Sequence, residues 1–298
     1  YMRVAFAPFF DRAESPFDIP GINTGFVPQD LDHVEADDSW LFSGYMADHS
    51  PSPLYRRTAD GTITKFYVSL PDGSPYDGHG SAITTNEQYA YLACEEGYLV
   101  IPMDDLLFAE DGASVQATEK VDVDLSPAFM NIEQGQLLLG NFYYPNDYET
   151  PENHHITTPD GTENPAVMYA FAADPAEPGR FLTVPDNVFS IPGMVQGTCI
   201  TDDGRIVLSV SYGIAPSHLL AYNVNLAAPD GTFTTGSGDE VELFCLDSRN
   251  LTEDLVGPPM QEGIESHDGR VYTTDESASN KYIFGKLCGA GRVYAVQL

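Results

Sequence analysis

One sequence pattern recurs along the whole chain and limits what the chain can fold into. Its clearest copies begin at Met194 and Met260, and each consists of two β-rich runs joined by an Asp-Gly turn. Fainter copies begin near Pro28, Gly78 and Pro127. Self-similarity at a long period indicates a repeat architecture in which each copy is one structural unit. The sequence therefore predicts five units of one design.

Each unit divides into about four short strands separated by clusters of Gly, Pro and Asp. The last predicted strand covers residues 181–184 in the third unit and residues 240–246 in the fourth. The fifth unit ends early, and residues 2–8 are a candidate for its missing outer strand. The residues from position 262 onward, added to those before position 29, amount to one more unit of normal size.

A ring whose last unit combines both ends of the chain is a β-propeller, which leaves only short, protected sheet edges. The sequence thus predicts an all-β fold, a β-propeller of five blades with four strands each, closed by an N-terminal strand that joins the last blade. Six blades or a solenoid is the alternative. One domain is expected over residues 1–298, with blades at about 25–70, 76–123, 125–185, 192–247, and 258–298 plus 2–8. Residues 103–108 are the one segment expected to form a helical turn.

The chain is strongly acidic, and this narrows the choice of partners. It carries 45 Asp and Glu residues against 13 Lys and Arg residues, a net charge of −32. Such a chain repels nucleic acid and anionic membrane surfaces, because contacts to phosphate need Lys or Arg. No apolar run is long enough to cross a membrane. The four cysteines show no metal-ligand spacing, and we expect mostly buried thiols with one disulfide possible.

In a propeller the starts of the innermost strands and the ends of the second strands meet around one mouth of the central channel. Aromatic, amide and acidic side chains there would make a ligand site. The loop 143–165 is long enough to overhang this mouth, and its histidines His154 and His155 are expected to be solvated. The predicted ligand-binding residues are Gln29, Gln196, Tyr45, Glu95, Phe142, Tyr143, Tyr212 and Glu276.

Two residues of this ring are candidates for catalysis. His79 could act as a general base, and Glu262 could be its carboxylate partner. His79 could equally hold neighbouring blades in register through a hydrogen bond to Gln29 or Gln196. Candidate metal ligands are His79, Glu262 and Asp32, with calcium as the expected ion. The alternative is a channel filled with water and bridging hydrogen bonds. The sequence has no nucleophile elbow, no phosphate-binding loop, no dinucleotide fingerprint and no His-Glu-x-x-His motif.

Seven stretches of the chain carry a resemblance to known proteins: residues 27–30, 42–46, 76–80, 195–197, 209–213, 258–263 and 276–282. Together they resemble a family of uncharacterised bacterial extracellular, cell-surface, five-bladed β-propeller proteins. The resemblance extends over about residues 25–298 and implies an exported protein, whose signal segment is not part of this chain. It implies no activity and no catalytic residues. The chain departs from the family at His79-Gly-Ser-Ala82 and at Asp30, which takes the place of a small residue.

Three functions are compatible with these features. The first is a propeller that binds a small polar molecule or a glycan at the channel mouth. The second is a hydrolase, similar to lactonases, that uses a channel metal or the His79 and Glu262 pair. The third is a scaffold for protein interactions, which requires a large exposed apolar patch. The sequence leaves open whether the protein is an enzyme and what its oligomeric state is.

Overall fold

The strands of the computed structural model, which describes residues 2–282, 285–288 and 291–298, pair as the repeat predicts. Each copy forms one antiparallel sheet whose first strand faces a central channel. These inner strands contact one another in cyclic order, and the last contacts the first. The predicted all-β, five-bladed propeller is therefore confirmed. The inner strands are Phe26–Val34, Ile83–Thr85, Phe129–Glu133, Val195–Ile200 and Gln261–His267.

The remaining strands complete the blades in the order of the chain. The first blade adds Ser39–Met46, Pro53–Arg57 and Ile63–Ser69, and the second adds Tyr89–Cys94, Gly97–Pro102 and Glu119–Asp122. The third blade adds Gln136–Gly140, Ala166–Ala172 and Asn187–Ile191, and the fourth adds Ile206–Val210, Ser217–Tyr222 and Leu251–Gly257. The fifth blade adds Arg270–Asp275, Tyr294–Val296 and Ala13–Glu14. Short strands also occur at Ser114–Gln116, Ile156–Thr157, Glu163–Asn164, Gly231–Thr234 and Glu240–Cys245.

The helices are short. A turn of helix at Met103–Leu107 lies where the sequence predicts one, and its Met103 and Leu106 side chains are buried. The others are Met2–Ala5 and Ala7–Phe10, with 3-10 turns at Glu152–His154, Glu276–Ala278 and Gly285–Cys288. None of the helices in the described ranges is long and apolar enough to span a membrane.

The ring closes through the N-terminal segment, as predicted, but with other residues. Ala13–Glu14 pairs with the strand Tyr294–Val296 and forms the outer edge of the fifth blade. Residues 2–8, expected to supply this strand, are helical instead. Phe6 of this segment is buried, and the next helical turn buries Phe9 fully beside Tyr294. The apolar pattern of this segment thus identified a buried element but not its type, because a run this short does not distinguish helix from strand.

Two outer strands also differ from the prediction. The third blade uses Asn187–Ile191 rather than residues 181–184, because its Val188 and Ile191 side chains are fully buried. The strand Glu240–Cys245 was predicted for the fourth blade. It pairs in parallel with the outer strand of the third blade, and Leu251–Gly257 takes its place in the fourth. After its third strand the fourth blade is therefore interrupted by a strand that extends the third blade, and the chain then returns to complete the fourth. Strand propensity alone does not predict this exchange.

Ser114–Gln116 makes a similar addition to the first blade. It follows the third strand of the second blade and pairs in parallel with Ile63–Ser69. Strands that reach from one blade to its neighbour's outer edge tie the rim of the ring together. They also shorten the free edges on which other chains could pair.

Close approach of the inner strands keeps the channel narrow. The backbone at Gly197 lies against Gly263 of the next blade, and the carboxylate of Asp30 lies over the Cα of Gly263. A methyl group on Gly263 would overlap this carboxylate. Glycine is needed here because the space beside its Cα is occupied, rather than for its backbone freedom.

We predict that Gly263→Ala destabilises the protein by about 2 kcal/mol, because the added methyl group has to displace the buried Asp30 side chain. Gly231→Ala is the matched control, since the space around Gly231 is open. Urea denaturation followed by circular dichroism measures both variants. Equal stability of the two variants would contradict the close packing described for the channel.

Candidate functional site

The repeated motif at the start of the inner strands is a β-bulge in three blades. Gln29 and Gln196 are each an extra residue opposite the second strand, and Glu262 lies in a longer irregularity of the same kind. Bulges interrupt the ladder and turn a side chain away from its regular direction. Met194 and Met260, two residues before the bulged positions of the last two blades, adopt left-handed backbone angles with φ of 62° and 68°. The repeated sequence motif therefore corresponds to a β-bulge at the channel mouth.

Gln29 and Gln196 are held by different partners. The Gln29 side chain is buried, and its amide donates to Oε1 of Glu276 at 3.1 Å, which links the first and fifth blades. The Gln196 amide donates to the Ser211 carbonyl of its own blade at 3.3 Å. Of these two glutamines, only Gln29 therefore makes a side-chain hydrogen bond to another blade.

His79 lies at the rim of the mouth and packs on Tyr45. The two rings are stacked with centroids 4.3 Å apart, and the Lys281 ammonium lies 2.7 Å from the Tyr45 hydroxyl. The His79 side chain keeps an exposed edge. Loss of solvent on its stacked face, together with the Lys281 charge, lowers the pKa of His79. The ring is therefore neutral at pH 7. It makes no hydrogen bond to Gln29, Gln196 or any carboxylate among the described residues.

The Tyr45 hydroxyl connects His79 to the acidic side of the mouth. It lies 3.4 Å from Oε1 of Glu276 and 3.2 Å from the Tyr282 hydroxyl. Gln29, Tyr45 and Tyr282 thus surround one carboxylate, and Lys281 adds a positive charge beside them. Burial raises the pKa of Glu276, and these donors oppose that effect.

Glu262 differs from Glu276 because no described side chain or backbone group hydrogen-bonds to its carboxylate. The side chain is only 3% exposed. Burial, followed by the charges of Glu276, Asp275 and Asp30, raises its pKa well above the usual range. A buried carboxylate without a partner is costly when it is ionised. Glu262 is therefore protonated unless it meets a hydrogen-bond donor that the described residues do not provide.

Below the mouth, carboxylates of the first blade reach across to the second. One oxygen of Asp30 accepts a hydrogen bond from the Ile83 amide at 2.8 Å. Asp32, two residues further along the strand, accepts from the Thr85 hydroxyl at 2.6 Å. Both side chains are buried. They connect neighbouring blades where no backbone ladder does.

The third blade makes similar connections. The Asn131 amide donates to the Thr198 carbonyl of the fourth blade at 3.0 Å and to Oε2 of Glu265 in the fifth blade at 2.7 Å. Glu133 accepts from the Ile200 amide at 2.9 Å. The repeat pattern did not predict Asn131 and Glu133 as channel residues. Polar side chains at alternate positions of an otherwise buried strand, as at 131 and 133, are the signal that could have identified them.

The predicted metal ligands do not come together. His79 lies at the rim, Asp32 bonds to Thr85 deep in the channel, and Glu262 lies between these levels. Within the described part of the chain, these three do not form a group with ligand atoms within 4.8 Å of one another. Alternation along the strand separates position 32 from the bulged mouth residues, so the predicted calcium site in the channel gains no support from the geometry.

The opposite side of the mouth is aromatic. Tyr212 stacks on Tyr144 with ring centroids 3.9 Å apart, and Phe142 lies 6.0 Å from the Tyr212 ring. Tyr148, which is 54% exposed, packs edge-on against Phe142. Of the aromatic residues that the sequence indicates, Phe142, Tyr144 and Tyr212 therefore lie in one cluster, and the structure adds Tyr148 to it.

Three other residues lie elsewhere than expected. Tyr143 packs against His155 and the core of its own blade. Glu95 is exposed in the tight turn that ends its strand. His154 was expected to be solvated but is 2% exposed, with its Nδ1 2.8 Å from the Asn141 amide. The long loop folds back on the third blade and buries this ring, which sequence polarity could not show. The described cysteines, Cys94, Cys199 and Cys245, are free thiols.

Comparisons with known proteins bear on the fold alone. No protein-family model and no curated protein matches the chain significantly. Among solved structures, a luciferin-regenerating enzyme matches 96% of this chain and 95% of its own, with a TM-score of 0.46 and 13% identity. The PQQ-bound aldose sugar dehydrogenase from Streptomyces coelicolor matches 96% of this chain and 81% of its own, with a TM-score of 0.47 and 14% identity. The WD40 β-propeller domain of Doa1 matches 95% of this chain and 96% of its own, with a TM-score of 0.41 and 8% identity. Similarities this weak carry no argument about ligand or activity.

The channel carboxylates generate a prediction about pH. Burial raises the pKa values of Asp32, Glu133 and Glu265, and that of Asp275 to about 7. The folded protein therefore holds protons that the unfolded chain releases, so stability falls as the pH rises. The loss begins above the unfolded pKa near 4 and continues until the folded carboxyls ionise. We expect the free energy of unfolding to fall by at least about 3 kcal/mol between pH 5 and pH 8, because Asp275 alone contributes about 1.4 kcal/mol per pH unit up to its folded pKa of about 7.

Glu133→Gln tests the origin of this loss. It removes one half-buried acid and keeps an oxygen that can accept a hydrogen bond from the Ile200 amide. We expect this variant to be more stable than the wild type at pH 8, with a smaller difference between pH 5 and pH 8. Exposed Glu87→Gln is the control and should follow the wild type. Stability that rises with pH in the wild type would contradict the buried, protonated channel.

Proposed function

We propose that the protein binds a small polar ligand at the channel mouth, where the ligand's hydrogen-bond donors meet Glu262 and Glu276. The observation that carries this proposal is the Glu262 carboxylate, which is buried and has no hydrogen-bond donor from the described residues. In folded proteins such a group is normally paired. A ligand hydroxyl or amine would supply the missing donor.

The neighbouring groups are already fixed in position. Glu276 is held by Gln29 and Tyr45, and Lys281 lies 4.7 Å from the centre of the Tyr45 ring. Because these contacts form within the protein, a ligand would not have to order the side chains that receive it. Such preorganisation lowers the cost of binding.

The space beside His79 has room for a small ligand. A cleft of about 170 Å³ lies between Tyr45, Ser52, His79 and Lys281. Glu262 and Glu276 do not line it, so a ligand has to extend past the Tyr45 hydroxyl to reach these two carboxyl groups. Its lining offers hydroxyl, carboxylate, imidazole and ammonium groups, whereas Tyr45 is only 8% exposed and its ring is covered on one face by His79. A few convergent polar groups in a concave site are typical of sites for small polar ligands. A sugar or an amino sugar is therefore the ligand class that fits this site best.

The aromatic cluster across the mouth supports the same ligand class. Tyr148 and Tyr212 present ring surface at the rim, and an extended glycan could contact them while one residue of the chain occupies the cleft. Export of the protein, which the family resemblance implied, stays a prediction. It would place the site where free glycans occur.

The hydrolase alternative has no comparable observation in its favour. It needs His79 within hydrogen-bond distance of a carboxylate, and in the described structure the ring instead stacks on Tyr45. Glu262 lies among other acids, so the pair that could exchange a proton is not assembled.

We predict that Glu262→Gln weakens ligand binding at least about tenfold, because the amide cannot ionise when a ligand amine or hydroxyl donates to it, whereas the carboxyl group of Glu262 can. The probes are glucose, glucosamine, N-acetylglucosamine and their short oligomers. Saturation-transfer NMR identifies which probes bind, and calorimetry measures the affinity. The exposed Glu87→Gln serves as the charge-matched control and should bind like the wild type.

Two results would contradict the proposal. One is that no sugar probe binds the wild type at millimolar concentration. The other is that a probe binds Glu262→Gln as well as it binds the wild type, since the ligand would then lie elsewhere. Thermal unfolding of each variant shows whether a loss of binding comes from a loss of folding.

A further inference from the structure

At the opposite end of the channel, two histidines meet across the seam between the first and last blades. His33 is next to the end of the inner strand Phe26–Val34, and His267 ends the inner strand Gln261–His267. Their imidazole rings lie with centroids 3.7 Å apart and planes 35° from parallel. The seam that closes the ring thus carries two nitrogen ligands side by side.

Asp38 completes the group. It precedes the second strand of the first blade and holds a left-handed backbone conformation with φ of 55°. Its Oδ1 lies 2.9 Å from Nε2 of His33. One ligand atom from each of His33, Asp38 and His267 lies within 4.8 Å of the other two. It is the one such group of three found in the described ranges.

The surroundings leave one side of the group open. The Trp40 ring lies 5.1 Å from the His33 ring and 5.6 Å from the His267 ring, and forms an apolar wall. The His33 side chain is 7% exposed, whereas that of Asp38 is 70% exposed. Asp268 lies beside the open side, 3.4 Å from Nε2 of His267. Solvent or Asp268 can therefore reach a fourth ligand position.

We propose that His33, Asp38 and His267 bind a divalent transition-metal ion such as Zn²⁺ and so fasten the first blade to the last. Two imidazoles and one carboxylate with an open position are the ligand set of transition-metal sites. Calcium and magnesium prefer oxygen ligands and fit this group poorly. The site lies at the other end of the channel from the mouth and does not depend on the function proposed there.

Binding would rearrange one hydrogen bond. A metal needs the lone pair of Nε2, so the proton of His33 has to reside on Nδ1. The Asp38 carboxylate then exchanges its contact with Nε2 for a bond to the ion. No covalent bond of the protein changes, and a bound water completes the coordination.

The ion would act on the ring as a whole. At this seam the inner strands of the first and last blades, more than two hundred residues apart in sequence, lie side by side without a backbone ladder. A ligand that binds the folded state and not the unfolded chain stabilises it by mass action. We expect one equivalent of Zn²⁺ to raise the midpoint of thermal unfolding.

The test uses the full-length chain after dialysis against EDTA and then into metal-free buffer. Isothermal calorimetry with Zn²⁺ and Ni²⁺ should show one site per chain, and Ca²⁺ should show none at this site. Cobalt substitution should give visible d–d absorption bands characteristic of nitrogen and oxygen ligands. His267→Gln and Asp38→Asn, both at accessible positions, should each weaken Zn²⁺ binding at least about tenfold.

A matched control is available on the fourth blade. His218 and Asp254 form a single imidazole–carboxylate pair, with Nδ1 2.7 Å from Oδ1, and within the described ranges they belong to no group of three ligand residues. His218→Gln should bind Zn²⁺ like the wild type. The proposal is overturned if the wild type binds no stoichiometric Zn²⁺ or Ni²⁺. It is equally overturned if His267→Gln and Asp38→Asn both bind Zn²⁺ with unchanged affinity.

Discussion

Hydrogen bonds from buried channel side chains to the next blade are the interaction on which the rest of this structure depends. The inner strands contact one another without forming a shared sheet, so their backbone groups do not hold the blades in register. Asp30, Asp32, Asn131 and Glu133 do so instead, each with a partner on a neighbouring blade. Exchanged outer strands and the N-terminal strand add ties at the rim. The channel is therefore a structural core made of polar groups, and its geometry fixes the mouth above it.

Building a core from acids has an electrostatic consequence. In a chain of net charge −32, burial of several carboxyls in one channel is tolerable only if some of them hold protons or meet donors. Asp30 and Glu133 meet backbone amides, and Glu276 meets Gln29 and Tyr45. Among the described residues, none donates a hydrogen bond to Glu262. The other channel acids thus have donors, whereas the Glu262 carboxyl group at the mouth has none among the described residues. For this reason we place the ligand at the mouth.

The sequence predicted much of the fold because the repeat encodes local geometry. Asp-Gly turns and alternating apolar runs indicate hairpins. The bulges at Gln29, Gln196 and Glu262 coincide with the sequence motif by which the repeat units align with one another. The outer strands were less predictable, because nothing local distinguishes a strand of the fourth blade from one that extends the third.

The site was predicted only in part, for a related reason. A bulge adds one residue to a strand and so exchanges the two faces beyond it, which hides the channel role of Asp30 from a simple alternation pattern. Contacts such as that between His33 and His267 join residues at opposite ends of the chain. Their position in sequence carries no sign of the contact.

The central claim is that the channel is a buried, largely protonated acid core with one uncommitted carboxylate. Carbon-13 NMR of the side-chain carboxyls, with each signal assigned by substitution to the amide, measures this directly. We predict that Asp275 titrates near pH 7, and that Glu262 titrates well above the range of exposed acids and shifts downward when a ligand amine binds. Titration of every carboxyl below about pH 5, as for solvated Asp and Glu, would contradict the account.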